Sequence, residues 1–208
     1  MWAATGLVFL TAALGLTAIV YGENMVPGDI TVARAIQQPA SPQLDTAARI
    51  LSVIGDDFPG MVVLAIVIIS VLMYRGRRDL ALFVALAAAL RALGPGLKVV
   101  INSPRPTLEA VVVVAQANGL GFPSGHAMGA ALFYGAIAVI APEAVPNPVL
   151  ARSIQILAGA LMILIALARV RLGVHWPSDV AGGLLFGLAL VCLLRAALLA
   201  WRLRHRQS

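Results

Sequence analysis

Eight residues of the kinds that act on phosphate esters lie in three short clusters, which long apolar stretches separate. The clusters are Lys98 with Arg105, then Ser124, Gly125 and His126, then Arg169, His175 and Asp179. Two arginines and a lysine can surround an anion, and two imidazoles beside them can act as nucleophile and as proton donor. The residue types therefore favour phosphoryl transfer through a histidine nucleophile.

The second cluster is predicted to lie at the start of a helix. Ser124 follows Pro123, and serine is a preferred N-cap residue. The N–H groups of Gly125 and His126 then lie at a positive helix end, where anions bind readily. We expect this helix start to hold a phosphate together with the cations of the other two clusters.

Each of these residues also has a structural role to weigh against the chemistry. A basic residue at the end of a membrane span often anchors that end at the interface, and a serine there often does no more than cap a helix. Asp179 in a first helical turn complements the helix dipole, and a lone histidine in a helix bundle is more often a hydrogen-bonded packing residue. The coincidence of three clusters in one chain favours the chemical interpretation.

A metal site is the competing use of the two histidines. His126, His175 and Asp179 form a ligand set that can hold zinc with one open position. The three nearby cations would repel a divalent ion and attract an anion instead. We therefore expect neither a metal nor another cofactor.

The composition is that of an integral membrane protein. Of the 208 residues, 61% are hydrophobic, above the roughly 45–50% apolar content of soluble domains. Several spans leave no room for an added soluble domain, so residues 1–208 are expected to form a single domain. The net charge of +6 comes largely from basic residues at span ends, which attraction to lipid headgroups explains better than nucleic-acid binding.

Six apolar runs are long enough to cross a bilayer as helices. They are Trp2 to Tyr21, Phe58 to Tyr74, Leu80 to Ile101, Ser124 to Ala141, Leu150 to Leu172 and Pro177 to Trp201. Between the first two, Asp29 and Asp45 are predicted to cap short amphipathic helices that lie on the membrane surface. The predicted fold class is all-α: a bundle of six transmembrane helices with short interfacial helices between spans one and two.

Two groups of arginines orient the predicted bundle. They are Arg75, Arg77 and Arg78 after the second span, and Arg202, Arg204 and Arg206 after the sixth. Arginine-rich loops face the cytoplasm, so both groups predict that the two termini are cytoplasmic. The three clusters then lie together at the extracytoplasmic face of a cell membrane.

Two further arginines lie inside predicted spans, where an ionisable residue is a candidate for function by default. Arg91 is two helical turns before Lys98 and is expected to pair inside the bundle, whereas Arg195 is expected to extend to the membrane surface. Neither is assigned to catalysis. The apolar loop from Thr107 to Gly121 contains four consecutive valines and is expected to act as a lid that contacts lipid tails.

The three clusters resemble the signature of the type 2 phosphatidic acid phosphatase superfamily. The matching patterns are Lys-(six residues)-Arg-Pro from Lys98, Pro-Ser-Gly-His from Pro123, and Arg-(five residues)-His-(three residues)-Asp from Arg169. With the six spans, the resemblance extends over nearly the whole chain. The third pattern usually begins Ser-Arg in the family, whereas Ala168 precedes the arginine here, so one phosphate-binding hydroxyl is absent.

The resemblance implies a role for every residue of the clusters. It implies that His175 attacks phosphorus and becomes phosphohistidine, that Asp179 orients the other ring nitrogen and that His126 protonates the leaving oxygen. The residues implied to hold the phosphate are Lys98, Arg105, Ser124, Gly125 and Arg169. Water then releases the phosphate without a metal.

The resulting prediction is a metal-independent phosphatase acting on a lipid phosphate whose tails stay in a bacterial plasma membrane. Within the family, phosphatidate, phosphatidylglycerophosphate and polyprenyl diphosphates such as undecaprenyl diphosphate are the expected substrates. A lipid phosphotransferase with the same intermediate is the nearest alternative, and a transporter or lipid-binding protein would use the basic pocket for recognition alone. Soluble haloperoxidases share the phosphate cradle, but six spans argue against them. The sequence predicts no particular oligomeric state.

Overall fold

A computed structural model describes residues 1–23, 25–38, 40–56 and 58–205, and every regular element in these residues is helical. The helices are α1 Trp2–Glu23, α2 Asp29–Gln37, α3 Pro42–Asp56, α4 Phe58–Tyr74, α5 Arg78–Ala89, α6 Leu93–Ile101, α7 Gly125–Ala144, α8 Pro148–Arg171 and α9 Pro177–His205. A 3₁₀ turn at Leu90–Ala92 connects α5 to α6. This architecture confirms the predicted all-α fold class.

Within the described residues, five helical segments are long and apolar enough to cross a membrane, and a bent pair of helices is a candidate for a sixth crossing. α1, α7, α8 and α9 are each long and apolar enough to cross a bilayer, and so is the segment Arg78–Ile101, which comprises α5, the 3₁₀ turn and α6. The pair Pro42–Gly55 and Gly60–Tyr74, bent by 49°, meets the same criterion only together. Counted as one broken span, α3 and α4 supply the sixth crossing. Arg206, which entered the orientation argument, lies outside the described residues.

The segment between α1 and α4 contains the two predicted short helices, but neither begins as expected. The N-cap of α2 is Gly28, and Asp29 is the first helical residue. Asp45 lies in the first turn of α3, not before it. The prediction that these aspartates cap their own helices was wrong because each carboxylate has a distant partner, Arg171 for Asp45 and Ser178 for Asp29.

α7 packs between α8 and α9, and α1 packs against α9. Small residues allow α7 and α9 to approach closely. A Cβ added at Gly183 would lie 2.5 Å from the carbonyl oxygen of Ser124, and one at Gly187 would lie 2.5 Å from the Cβ of Ala131. The two glycines therefore set the distance between the helices that carry the second and third clusters.

The loop between α6 and α7 is fastened to other helices. Gln37 of α2 donates a 2.6 Å hydrogen bond to the carbonyl oxygen of Val112 and accepts a 3.1 Å bond from its N–H group. The N–H group of Val114 donates to the carbonyl oxygen of Leu172 at 3.0 Å, and the side chain of Val111 is buried. The loop is therefore a strap across α2 and the end of α8, and the contact of its valines with lipid tails stays a prediction, which the exposed side chain of Val112 allows.

A network of charged residues, here called the far-end network, lies at the opposite end of the bundle from the three clusters. Arg195 and Arg202 of α9 both bind the Glu143 carboxylate at the end of α7, and Arg202 also binds Asp79 at the start of α5. Arg77 lies 3.2 Å from the same Glu143 carboxylate. The prediction that Arg195 extends to the membrane surface was wrong, because its side chain is buried and a partly exposed carboxylate partner, Glu143, lies on the neighbouring helix.

Candidate active site

A cavity of about 540 Å³ lies where α6 ends, α7 begins and the chain passes from α8 to α9. Six of the eight residues of the predicted site line it: Lys98, Arg105, Gly125, His126, Arg169 and His175. The other two, Ser124 and Asp179, are fully buried and are not among the lining residues. The structure thus brings all three clusters to one space at one end of the bundle.

The imidazole of His175 is held from both sides. Its Nδ1 lies 3.0 Å from Oδ2 of Asp179, and its Nε2 lies 3.1 Å from Nη1 of Arg105. The same Asp179 oxygen accepts a 3.0 Å hydrogen bond from the N–H group of Trp176. Because that oxygen acts as an acceptor, we assign the His175 proton to Nδ1, and Nε2 then carries a lone pair. Nε2 is the atom that this arrangement makes available as a nucleophile.

A hydrogen bond between main-chain groups joins the start of α7 to the start of α9. The N–H group of Ser124 donates a 2.9 Å hydrogen bond to the carbonyl oxygen of Asp179. The Ser124 hydroxyl accepts from the N–H group of Ala127 at 3.5 Å and so caps α7. This hydroxyl therefore fulfils the structural role expected of it, and Gly125 and His126 bring the first helical turn to the cavity wall.

The side chains of Lys98 and Arg105 are positioned by hydrogen bonds to loop carbonyl groups. Nζ of Lys98 donates to the carbonyl oxygen of Leu120 at 2.7 Å. Arg105 donates from Nε to the carbonyl oxygen of Gly119 at 2.9 Å and from Nη1 to that of Val174 at 2.6 Å. Both cations are thus fixed before an anion arrives, which is the preorganisation that electrostatic stabilisation of a transition state requires.

Arg169 lies in the last turn of α8, where its side chain is buried. It donates a hydrogen bond from Nη1 to the hydroxyl of Ser52 in α3. Ala168, which stands where the family usually has serine, is buried in an apolar cluster with Ala48 and Leu172. A hydroxyl therefore contacts Arg169 from another helix, although none precedes it in the sequence.

The surroundings of His175 favour its neutral form. Burial lowers the pKa of the His175 ring well below its usual value, and the charges of Arg105, Lys98 and Arg169 lower it further. A neutral ring keeps the lone pair on Nε2 that nucleophilic attack requires. The residue lies between α8 and α9, outside the helices that cross the membrane.

Residues 76–203, more than half of the chain, match the family model described as the PAP2 superfamily. The chain belongs to the PAP2 superfamily. It is 28% identical over 181 residues to phosphatidylglycerophosphatase B of Bacillus subtilis, with 86% of this chain and 88% of the relative covered. It is 32% identical over 171 residues to decaprenylphosphoryl-5-phosphoribose phosphatase of Mycobacterium tuberculosis, with 79% and 88% covered.

The fold is also similar to a solved PAP2 structure. The crystal structure of the transmembrane PAP2-type phosphatidylglycerolphosphate phosphatase from Bacillus subtilis superposes with a TM-score of 0.82 at 26% identity, covering 92% of this chain and 94% of that one. These similarities confirm the predicted superfamily, the predicted enzyme class of lipid phosphate phosphatases and the multi-pass membrane fold.

Two residues outside the predicted motifs belong to the surroundings of this PAP2 site, one at the cavity wall and one behind it. Arg91, which was expected only to pair inside the bundle, lines the cavity. Its spacing of seven residues from Lys98 could have indicated this position, because residues seven apart lie on the same face of a helix. Asp29 is 5% exposed and accepts hydrogen bonds from the hydroxyl of Ser178 at 2.6 Å and from its N–H group at 2.9 Å. Ser178 is the neighbour of Asp179, and no local pattern around Asp29 indicated this contact.

Proposed function

We propose that this protein hydrolyses a lipid phosphate or diphosphate through a phosphohistidine formed on His175, with its active site at the extracytoplasmic face of a bacterial plasma membrane. The candidate substrates are phosphatidate, phosphatidylglycerophosphate and polyprenyl diphosphates such as undecaprenyl diphosphate. The observation that carries the proposal is how the imidazole of His175 is held at the cavity: His175 lines the cavity, its Nε2 lies 3.1 Å from Nη1 of Arg105, and its Nδ1 is bound by Asp179.

The first step forms the covalent intermediate. The lone pair of His175 Nε2 attacks phosphorus, a nitrogen–phosphorus bond forms, and the bond from phosphorus to the leaving lipid oxygen breaks. His126, in its protonated form, gives its proton to that oxygen, so the product is a lipid alcohol or, from a diphosphate, a lipid monophosphate. The Asp179 carboxylate stabilises the positive ring of phosphohistidine through Nδ1.

The second step returns the enzyme to its starting state. A water molecule attacks phosphorus, and the neutral His126 accepts its proton. The nitrogen–phosphorus bond breaks and inorganic phosphate is released, with both histidines in their original protonation states. Lys98, Arg105 and Arg169 hold the equatorial oxygens in both steps, together with the main-chain N–H groups at the start of α7.

The distribution of arginines supports the proposed membrane side. Arg75, Arg77 and Arg78 precede or begin α5, and Arg202 and Arg204 end α9. These helix ends are opposite to the ends that carry the cavity. Since arginine-rich ends stay in the cytoplasm, the cavity faces the other side.

The test of the chemistry is phosphate release from a panel of purified lipid phosphates. We expect His175→Ala to lower the rate by at least about 10³-fold, and a chelator to leave the wild-type rate unchanged. The matched control is His205→Ala, which removes an exposed histidine at the far end of α9. Full activity of His175→Ala, or loss with chelator that zinc reverses, would contradict the proposed nucleophile.

The same preparation distinguishes hydrolysis from phosphotransfer. A radiolabelled phosphoryl group trapped on His175 should be released by water as inorganic phosphate, at the same rate with or without an added lipid alcohol. Label appearing on the added lipid instead would assign a phosphotransferase.

The membrane side is tested by labelling in intact cells. With Cys192 replaced by alanine, Asn118→Cys at the cavity wall should react with a membrane-impermeant maleimide, whereas Arg204→Cys should react only after the cells are opened. The reverse pattern would place the active site in the cytoplasm.

A further inference from the structure

A second large cavity of the molecule is a groove between α5 and α9, at the end of the bundle that carries the far-end network. Its volume is about 310 Å³, within the roughly 300–1,000 Å³ of small-molecule sites. The active-site cavity lies at the other end, and the two spaces have no lining residue in common. The groove is therefore separate from the site of phosphate chemistry.

Each wall of the groove is one face of a helix. Arg78, Leu82 and Leu86 follow one another at intervals of four residues on α5, and Leu194 and Leu198 have the same spacing on α9. The eight residues from Arg78 to Leu86 correspond to about 12 Å along the helix axis. Since α5 begins at Arg78, the groove has a cation at its outer end and apolar walls toward the middle of the membrane.

The walls of the groove are open to the surroundings of the bundle. Leu82 is 57% exposed and Trp201 is 50% exposed. Trp201 lies three residues after Leu198 on α9, at the outer end of the groove with Arg78. Tryptophan is enriched where the polar and apolar layers of a membrane meet. The outer end therefore suits a lipid head group, and the inner part suits a lipid chain.

The charge at the outer end of the groove favours an anionic head group. Asp79 also lines the groove, but its carboxylate pairs with Arg202 and lies 3.9 Å from Arg77. In the part of the chain that the structure describes, no carboxylate lies within ion-pair distance of Arg78, whose side chain is exposed. A head group with a net negative charge compensates this guanidinium, whereas a zwitterionic one adds no net charge.

We propose that the groove binds one anionic phospholipid that is not a substrate. Its phosphate pairs with Arg78 beside Trp201, and one acyl chain lies along Leu82 and Leu86. Basic pockets between membrane helices on the cytoplasmic side are suited to such lipids. The assignment to the cytoplasmic leaflet rests on the proposed topology, whereas the site itself does not. By contacting both α5 and α9, the lipid adds to the connections that the far-end network makes between these helices.

The experiment measures quenching of tryptophan fluorescence by brominated lipids in detergent solution. The two probes are phosphatidylserine and phosphatidylcholine with the same brominated acyl chains. Phosphatidylserine is anionic but has no phosphate monoester, so it is not a substrate of the proposed reaction. The protein has three tryptophans, and the signal of the groove is the difference between wild type and Trp201→Phe. Half of this signal should be quenched at an about fivefold lower mole fraction of phosphatidylserine, the effect of one arginine near a membrane surface.

Variants of single arginines test the role of the cation. Arg78→Gln should raise the mole fraction of phosphatidylserine needed about fivefold, to the value for phosphatidylcholine. Arg78→Lys keeps the charge and should keep the preference, which separates loss of charge from misfolding. The matched control is Arg152→Gln, which removes an exposed arginine of α8 at the same end of the bundle but outside the groove, and it should also keep the preference.

Three results would overturn the proposal. The first is equal quenching of the wild-type signal by the two lipids, which would show lipid contact without recognition of a head group. The second is a preference for phosphatidylserine that persists in Arg78→Gln. The third is quenching that weakens as the protein concentration rises at a fixed mole fraction of lipid, which would show a second copy of the chain in the groove.

Discussion

Replacing Asp29 with asparagine is expected to slow this PAP2 enzyme although Asp29 does not line the cavity. Oδ1 of Asp29 accepts from the N–H group of Ser178 at 2.9 Å. Oδ2 accepts from the Ser178 hydroxyl at 2.6 Å and from the N–H group of Val26 at 2.9 Å. Asparagine offers one oxygen and one donating nitrogen at these two positions. In either orientation the nitrogen faces a main-chain N–H group, so one donor loses its acceptor.

The size of the effect follows from these contacts. Leaving a buried donor unsatisfied costs about 1–3 kcal/mol, and loss of the carboxylate charge weakens the bonds that remain. We expect the free energy of unfolding to fall by about 2–4 kcal/mol. Ser178 is followed by Asp179, which orients His175, and a shift of about 1 Å at a reacting group can lower a rate by about 10²-fold. The expected decrease in kcat is about 10- to 100-fold.

The assay is rapid-quench measurement of phosphohistidine formation, with thermal unfolding measured on the same samples. Asp45→Asn is the matched control, because Asp45 lies in the first turn of the next helix, α3, and its 2.9 Å pair with Arg171 is partly exposed. That change should cost at most about 1 kcal/mol and leave kcat within about twofold. In a double-mutant cycle with Ser178→Ala, the two changes should be non-additive by at least about 0.5 kcal/mol. If Asp29→Asn forms the intermediate as fast as Asp45→Asn, or if the cycle is additive, the positioning role is refuted.

Two further predictions concern the pH dependence and the packing of the site. Because the pKa of His175 is lowered, the acidic limb of kcat/KM due to its protonation should lie well below pH 6.5. Arg105→Gln removes a cation that lowers this pKa, so the pKa should rise and the limb should move to higher pH; a limb that does not move would contradict the electrostatic account. Gly183→Ala forces a Cβ against the carbonyl oxygen of Ser124 and should destabilise the protein by about 1–3 kcal/mol. Gly96→Ala, where an added Cβ has no neighbour within 4 Å, is its control, and equal melting temperatures for the two would refute the packing argument.

The convergence of the three clusters was predictable because it depends on features that a sequence records directly. Apolar runs define the spans, and the number of spans between two motifs decides whether they share a membrane face. Lys98 at the end of one crossing and His126 at the start of the next had to lie at the same end of the bundle. The His175–Asp179 contact was equally accessible, because a spacing of four residues brings two side chains together around the start of a helix.

The contacts that the sequence did not predict all join residues far apart in the chain. Asp29 reaches Ser178 across 149 residues, and Arg195 reaches Glu143 across 52. Local rules assigned each of these charged residues to the nearest plausible role, a helix cap for Asp29 and extension to the membrane surface for Arg195. The packing of the whole bundle determines which helices are neighbours. A buried charged residue then pairs with a polar group on the neighbouring helix, because burial of an unpaired charge is unfavourable.

The far-end network holds helices together at one end of the bundle, at the end opposite to the cavity. Arg202 and Arg195 join α9 to α7, and Arg202 with Asp79 joins α9 to α5, so three helices are pinned to one another where they are most remote from the chemistry. Because ion pairs hold these helices together at one end, they can separate at the other end by rotating about the fixed end. Admission of a bulky lipid is therefore expected to proceed by sideways parting of the helices around the cavity, with amide exchange slower in the helical turns beside Glu143 than in the turns that line the cavity.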